Sequence, residues 1–120
     1  MSDEHPARAV VRRYIELSGR LDADGLTACF ATQAGLHGHL GTKVLAATAD
    51  AYVADVRRLA AAQTAMAGYR AEIVDFAATG GIARATVHMD GFAGRRFVDY
   101  LQLMERDGTW QIVGKTFTTR

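Results

Sequence analysis

The sequence contains one cysteine, one proline and no long apolar run, and each scarcity excludes a class of protein. Cys29 has no second cysteine with which to form an intrachain disulfide, so a disulfide-stabilised secreted domain is not expected. No apolar run approaches the ~20 residues that a membrane-spanning helix requires. No charged start followed by an apolar stretch indicates a secretion signal. We therefore expect a soluble protein of the reducing cytoplasm.

The chain also has little net charge. Fourteen Lys and Arg residues against thirteen Asp and Glu residues give a formal charge of +1, whereas phosphate backbones select concentrated positive surfaces. Nucleic acid is therefore not an expected partner. The sequence has no phosphate-binding glycine loop, nucleophile elbow or dinucleotide fingerprint, which argues against nucleotide and acyl-enzyme chemistry. No cofactor is expected.

What remains is the composition of one globular core. The 120 residues are 49% hydrophobic and 22% charged, and the chain is too short for two domains that would each bury a core. No internal repeat, low-complexity segment or linker divides it. We expect residues 1–120 to form a single domain.

The first half of the chain has helical periodicity. Apolar residues within about residues 5–20 fall on one arc of a helix and arginines on the other, and Pro6 suits the first turn. Asp22 can cap a second short helix, which is predicted to contain Leu26, Cys29 and Phe30. Residues 35–41 indicate a short strand and turn, after which Thr48 or Asp50 caps a third helix.

After about residue 67 the period changes to two, which predicts strands. The four predicted strands are Tyr69–Ala78, Ile82–Asp90, Arg95–Arg106 and Thr109–Thr118. Gly80-Gly81, Asp90-Gly91 and Asp107-Gly108 separate them and tolerate the positive φ of tight hairpins. This order predicts an α+β fold, in which a helical layer closes one face of a strongly curved, mainly antiparallel sheet around an internal pocket.

Two oxygen-bearing side chains are candidates for chemistry. Tyr14 lies in the middle of the apolar arc of the first helix, so its hydroxyl needs a partner inside the core. Asp99 shares a strand face with Phe97 and Leu101, so its carboxyl group must be paired, hydrogen-bonded or protonated. A neutral acid beside a phenol would form a donor pair for an oxyanion such as a dienolate.

Each candidate also has a structural interpretation. Tyr14 can be a core tyrosine that donates to the backbone or to water. Asp99 can belong to an ion pair, with Lys115, Arg84 or Arg96 as the cation. Either face of the last strand can point inward, and an inward Lys115 would hold Asp99 ionised and prevent it from donating a proton.

The histidines allow several interpretations. His37 and His39 flank Gly38, so strand alternation points both to one face. A metal site lacks evident further ligands, because His5 is near the terminus and His88 is on another strand. One histidine of the pair can instead act as a general base near neutral pH, or both can be partly exposed polar residues. His88 is expected to face away from the pocket, toward solvent or a subunit interface.

Three parts of the chain resemble the nuclear transport factor 2-like superfamily, which includes ketosteroid isomerases and SnoaL-like polyketide cyclases. They are Val10–Ile15, Ala28–Ala31 and the closing strands, and the resemblance covers nearly all of residues 7–118. The segments Phe97–Leu103 and Asp107–Lys115 are also similar to the putative lumazine-binding branch of that superfamily.

The ketosteroid isomerase resemblance implies roles for individual residues. Tyr14 matches the tyrosine that donates to the dienolate oxygen, and Asp99 matches the protonated acid beside it. The general base of the family is an aspartate of the first strand, whose position here is Gly38. His37 or His39 would need a bulge or turn at Gly38 to reach the pocket in its place.

Two functional hypotheses follow. The first is a cofactor-independent acid–base enzyme, an isomerase, cyclase or dehydratase that acts through an enolate on a small hydrophobic carbonyl compound. Tyr14 and Asp99 would stabilise the oxyanion, while His37 or His39 would move the proton. The second is a non-catalytic binding protein for a hydrophobic or aromatic small molecule, which the missing base at Gly38 favours.

The pocket wall and a partner are also predicted. Candidates for contact with the ligand are Phe30, Tyr52, Val56, Met66, Val87, Met89, Leu101, Lys115 and Phe117. A homodimer is expected through the outer face of the sheet, where His88, Arg84 and Tyr100 can meet a second copy. A third functional possibility is a scaffold whose main role is this dimerisation.

Overall fold

The computed structural model describes residues 3–120 as three helices on a curled six-stranded sheet. The elements are α1 Pro6–Gly19, α2 Ala23–Thr27, β1 Phe30–Leu40, β2 Lys43–Thr48, α3 Ala49–Ala61, β3 Arg70–Thr79, β4 Ile82–Phe92, β5 Arg95–Arg106 and β6 Thr109–Thr119. The strand order is β2-β1-β6-β5-β4-β3, and only the β1–β6 pair is parallel among these strands. The predicted α+β fold is confirmed.

Helix α1 has a defined start and end. The His5 side chain accepts a hydrogen bond from the Ala7 N–H at 3.0 Å, and Pro6 occupies the first turn. Tyr14 lies on the buried face, as its place in the apolar arc predicts. At the other end, a Cβ on Gly19 would lie 2.3 Å from the ring of Tyr69, the residue before β3, so this glycine lets that ring approach the helix closely.

Strands β1 and β2 differ from the sequence expectation. The second helix was expected to include Cys29 and Phe30, but α2 ends at Thr27 and Phe30 begins β1. The Cys29 carbonyl accepts a hydrogen bond from the Ile112 N–H at 2.8 Å. The chain therefore pairs with β6 at this point, and the helix does not continue. Strand β2 was not expected at all, because most of its side chains are exposed on both faces and give no period of two.

The meander of β3 to β6 is confirmed, with one hairpin displaced. Asp107 and Gly108 form the last turn as predicted, with φ of 52° and 79°. The turn expected at Asp90-Gly91 is wrong, because β4 continues to Phe92 and the chain reverses at Ala93-Gly94. Gly91 does have a positive φ of 72°, but it serves a close approach to Gly68, whose carbonyl carbon would lie 2.6 Å from a Cβ there.

A cluster of buried apolar side chains lies between the helices and the sheet. Among residues 3–120, only three polar or charged residues are buried with it, namely Ser18, Asp99 and Lys115. Buried charges are costly unless they are paired. Asp99 and Lys115 therefore mark the part of the core where a functional site is expected. None of the helices in this part of the chain is both long and apolar enough to cross a membrane.

Candidate functional site

A cavity of about 410 Å³ lies between α3 and the strands β1, β2, β4, β5 and β6. Its wall is largely apolar and includes the rings of Tyr52, Phe92, Phe97 and Phe117. The charged residues that line it are Lys43, Asp55, Arg58, Asp99 and Lys115.

These charges form two groups that differ in exposure. Asp99 and Lys115 are 1% and 5% exposed, so they form the buried polar end of the cavity. Lys43 and Arg58 are exposed, and Arg58 forms an ion pair with Asp55. The cavity thus has a charged rim, an aromatic middle and one buried pair of opposite charges.

Tyr14 and Asp99 are joined by a buried hydrogen bond. The Tyr14 hydroxyl donates to Asp99 Oδ2 at 2.6 Å, across 85 positions of sequence. Burial first, and then the charge of Asp99, raise the pKa of Tyr14 well above its ordinary value of 10.0, so the phenol keeps its proton. Tyr14 is not among the residues that line the cavity. Its proton is therefore directed to the carboxylate and not into the cavity.

Lys115 points inward beside this pair. Its Nζ lies 3.9 Å from Asp99 Oδ2 and 3.6 Å from the centroid of the Tyr52 ring. The ring contact is a cation–π interaction, and a hydrogen bond of 2.7 Å between the Tyr52 and Ser18 hydroxyls holds the ring. Burial lowers the pKa of Lys115, while the charges of Asp99 and Asp55 act in the opposite direction.

A bulge in β6 explains why Lys115 is inside. Gln102 of β5 faces Gly114 and its neighbour Leu103 faces Ile112, so one residue of β6, Val113, is extra. Such an insertion reverses which side chains face inward. Trp110 and Ile112 are buried before the bulge, and Lys115 is buried after it.

The other two cations considered for Asp99 lie elsewhere. Arg84 forms an ion pair with Asp75, and Arg96 pairs with Asp90 at 3.3 Å. Because both arginines are more than half exposed, water weakens these pairs. Within residues 3–120, Lys115 is the cation that reaches Asp99.

The aromatic side chains form a continuous series from the core into the cavity. The neighbouring ring centroids in the series are 6.0–6.2 Å apart, and the rings are Phe30, Tyr14, Tyr52, Phe92, Phe97 and Phe117. The contacts are tilted or edge-to-face except for the stacked Tyr52–Phe92 pair, and such contacts are favourable and fix ring orientations. The series presents a preorganised aromatic surface to a ligand.

The histidines of β1 lie outside the cavity. His37 and His39 are exposed, whereas their neighbours Leu36 and Leu40 line the cavity. A Cβ on Gly38 would lie 2.4 Å from the Phe117 carbonyl oxygen, so this position cannot carry a side chain unless β6 moves. No base on β1 is therefore aimed at the cavity. Within residues 3–120, no group of three or more His, Cys, Asp or Glu side chains is placed to hold a metal ion.

The predicted wall residues divide into lining and core. Tyr52, Met89, Lys115 and Phe117 line the cavity. Phe30, Val56, Val87 and Leu101 are buried in the core cluster and are not among the lining residues. Met66 is half-buried and its sulfur accepts from the Ala93 N–H at 3.4 Å.

Several lining residues were missed from the sequence. Leu45, Ala46 and Ala47 belong to β2, which no sequence pattern indicated. Phe92 and Phe97 flank the hairpin whose position was misjudged. The sequence signal that could have identified Phe92 and Phe97 is the pair of phenylalanines itself, since aromatic rings on both sides of one turn favour a shared apolar surface.

Comparison with known proteins identifies the fold and the family. A family model described as putative lumazine-binding matches residues 2–118. A nuclear transport factor 2-like protein of unknown function from Silicibacter pomeroyi is 29% identical with a TM-score of 0.81, over 96% of this chain and 93% of that chain. A second such protein, from Shewanella baltica, is 22% identical with a TM-score of 0.83, over 97% and 92%.

A more distant structure has the same fold. A ketosteroid isomerase-like protein from Erwinia carotovora atroseptica is 16% identical with a TM-score of 0.70, over 95% of this chain and 93% of that chain. No curated protein matches the sequence. Because the family model spans residues 2–118, the chain belongs to the putative lumazine-binding family, and its fold places it in the nuclear transport factor 2-like superfamily.

Proposed function

We propose that the cavity binds a small planar aromatic compound that carries a carbonyl group. The observation that carries this proposal is the buried Lys115–Asp99 pair at the end of an aromatic cavity. Small-molecule sites are typically apolar clefts of about 300–1,000 Å³ with a few convergent polar groups. A cavity of about 410 Å³ with one buried charged pair fits that description.

The buried pair suggests how a ligand would be oriented. Lys115 offers a hydrogen-bond donor and Asp99 an acceptor, with 3.9 Å between their facing atoms. A ring that presents a carbonyl oxygen next to an N–H group would satisfy both. Lumazine, which the family description names, is a planar bicyclic dione of this kind and is therefore a suitable first probe. The Tyr52 ring, beside Lys115, would contact the plane of such a ligand.

Titration calorimetry of the full chain with lumazine and with naphthaldehyde tests this proposal. We expect saturable binding with one ligand per chain, and a loss of roughly 10-fold to 100-fold in affinity for Lys115→Met, since a hydrogen bond to a charged group is removed. Naphthalene, which has no carbonyl group, should bind more weakly than naphthaldehyde. Arg106→Ala changes an exposed side chain and serves as the matched control.

Two results would contradict the binding proposal. One is the absence of saturable binding for both carbonyl probes. The other is an equal affinity of the wild-type protein and Lys115→Met, which would place the ligand away from the buried pair.

A second candidate function is enolisation of the bound carbonyl compound. One specific observation favours it, namely that the Asp99 carboxylate lines the cavity beside the Lys115 ammonium group. Asp99 would remove a proton from the carbon next to the carbonyl, and Lys115 would stabilise the enolate oxygen. Tyr14 would then act as a positioning residue, because its hydrogen bond orients the base.

Exchange of ketone α-protons with deuterium, followed by NMR, tests enolisation. We expect acetonaphthone to exchange faster with the wild-type protein than in buffer, and Asp99→Asn to reduce the enzymatic rate by about 100-fold or more, in the range that a general base contributes. Arg106→Ala should exchange as the wild type does. If His37→Ala or His39→Ala removed the exchange instead, the base would be a histidine and Asp99 would have another role.

The homodimer remains a prediction from the sequence. It is supported by exposed apolar side chains on the strands β3 to β5, which are Val74, Ile82, Tyr100 and Met104. Such side chains would lose contact with water in a dimer. His88, which was expected at that interface, lies 3.2 Å from the Arg120 guanidinium group.

A further inference from the structure

We propose that Lys115 forms a covalent imine with the carbonyl carbon of its ligand, so that the site takes aldehydes and ketones as reactants. This inference rests on the proposed function, because the carbonyl group must first bind at the inner end of the cavity. It goes beyond binding in assigning Lys115 the role of a nucleophile.

The surroundings of the Lys115 amine leave it free to react. Its Nζ makes no hydrogen bond to the part of the chain that the structure describes, and the nearest carboxylate oxygen, on Asp99, is 3.9 Å away. The Tyr52 ring supports the amine from one side at 3.6 Å. The side chain is only 6% exposed, yet it lines the cavity, so a ligand reaches the amine and bulk water has little access.

The amine must lose its proton before it can attack a carbonyl carbon. Burial lowers the pKa of Lys115 from its ordinary value of 10.5, against the opposing charges of Asp99 and Asp55. Desolvated lysines of this kind are the ones that act as nucleophiles in carbonyl chemistry. A ligand that fills the cavity removes further water from the amine and acts in the same direction.

The reaction balances without an oxidant or a reductant. The Nζ–carbon bond forms as the π bond of the carbonyl breaks, and the oxygen takes up a proton to give a carbinolamine. The carbon–oxygen bond then breaks and a carbon–nitrogen double bond forms. The two protons of the neutral amine leave with the oxygen as one water molecule. Asp99, beside Nζ, is placed to accept and return the protons that move between nitrogen and oxygen.

The lysine content of the chain makes this step easy to detect. The sequence contains two lysines, Lys43 and Lys115, and all other basic side chains apart from histidine are arginines. Both lysines line the cavity, but Lys43 is exposed at its rim. Lys43 therefore provides a matched internal control with the same chemistry and a different environment.

Reductive trapping tests the proposal. The full chain is incubated with naphthaldehyde and cyanoborohydride near neutral pH, and the adduct is located by intact mass and peptide mapping. We expect one adduct on Lys115, formed at least about tenfold faster than on Lys43, because a carbonyl compound bound in the cavity is held beside the Lys115 amine and reacts at a high effective concentration. Arg106→Ala, which changes an exposed side chain away from the cavity, should keep the fast adduct, and Lys115→Arg should lose it. Lumazine should slow labelling of Lys115 in the wild-type protein, a readout that does not depend on the folding of a variant.

The outcomes separate this inference from the binding proposal. If calorimetry shows naphthaldehyde bound but the label is found only on Lys43 or the terminal amine, the imine is wrong and the binding site stands. Equal labelling rates for the two lysines would also overturn the imine. If no carbonyl probe binds and no adduct forms on Lys115, both proposals fail.

Discussion

Replacing Asp99 by alanine is expected to lower the free energy of unfolding by about 3–5 kcal/mol. The change leaves Lys115 buried without its nearest opposite charge, and it removes the acceptor of the buried Tyr14 hydroxyl. Breaking one side of a buried pair costs more than the pair itself contributes, because the remaining charge cannot regain its water. Chemical denaturation of the wild type and the variant measures the difference.

Three further variants show whether the loss of stability in Asp99→Ala comes from breaking the charged pair or from the space that the shorter side chain leaves. Tyr14→Phe should cost about 1–3 kcal/mol, since it removes one buried hydrogen bond and keeps the charges. Asp99→Asn keeps the shape of the side chain, so a loss for this variant reports the missing charge. Asp75→Ala breaks the exposed Arg84–Asp75 pair and should cost less than about 1 kcal/mol. A loss for Asp99→Ala no larger than that of Asp75→Ala would contradict the prediction.

The same measurement has an expected pH dependence. Without Asp99, the pKa of Lys115 in the folded chain falls further below 10.5, which is its value in the unfolded chain. At a pH between the folded and unfolded pKa values, the unfolded chain therefore binds one more proton than the folded chain. The free energy of unfolding of Asp99→Ala therefore rises with pH in this range, by up to about 1.4 kcal/mol per pH unit, and its difference from the wild type becomes smaller. Burial raises the pKa of Tyr14, Tyr52 and Tyr69 above 10.0, so stability falls once the unfolded chain loses those protons, and the comparison belongs below pH 10.

The second large effect is expected from replacing the three polar groups together. The variant Tyr14→Phe, Asp99→Leu, Lys115→Met should have a free energy of unfolding within about 2 kcal/mol of the wild type, or above it, because apolar residues often replace a buried charged pair without loss. Binding of lumazine and naphthaldehyde should nevertheless fall by at least roughly 100-fold, since the buried donor Lys115 and the buried acceptor Asp99 are both removed. Denaturation and calorimetry on one preparation measure both quantities.

The single variants are the controls for this comparison. Asp99→Ala, which breaks the pair, should be less stable than the triple variant, which removes it. A triple variant that bound the probes as the wild type does would show that the buried charges have no part in recognition. One that was less stable than Asp99→Ala would show that the polar groups stabilise the fold as a unit.

The sequence by itself determined the elements that depend on local patterns. The amphipathic arc of α1 predicted that Tyr14 is buried, and strand alternation predicted that Asp99 faces the apolar layer. The turn at Asp107-Gly108 was predicted because two adjacent residues that tolerate positive φ are sufficient to reverse a chain. In each case the residues that decide the conformation are neighbours in sequence.

Only the tertiary structure decided the features that depend on distant partners. Strand β1 is extended from Phe30 because β6, more than 70 positions later, supplies its hydrogen bonds, and β2 forms on the other edge of β1. Gly91 is explained by the approach of Gly68, which the local sequence around Gly91 could not reveal.

The site itself depended on one such feature. Regular alternation allows either Trp110 and Ile112 or Lys115 to face inward, and the bulge at Val113 places all three inside. That bulge brings Lys115 to Asp99, whose carboxylate also accepts the hydrogen bond from the Tyr14 hydroxyl. A bulge is set by how two strands pair, so strand periodicity alone could not determine which charge lies at the end of the cavity.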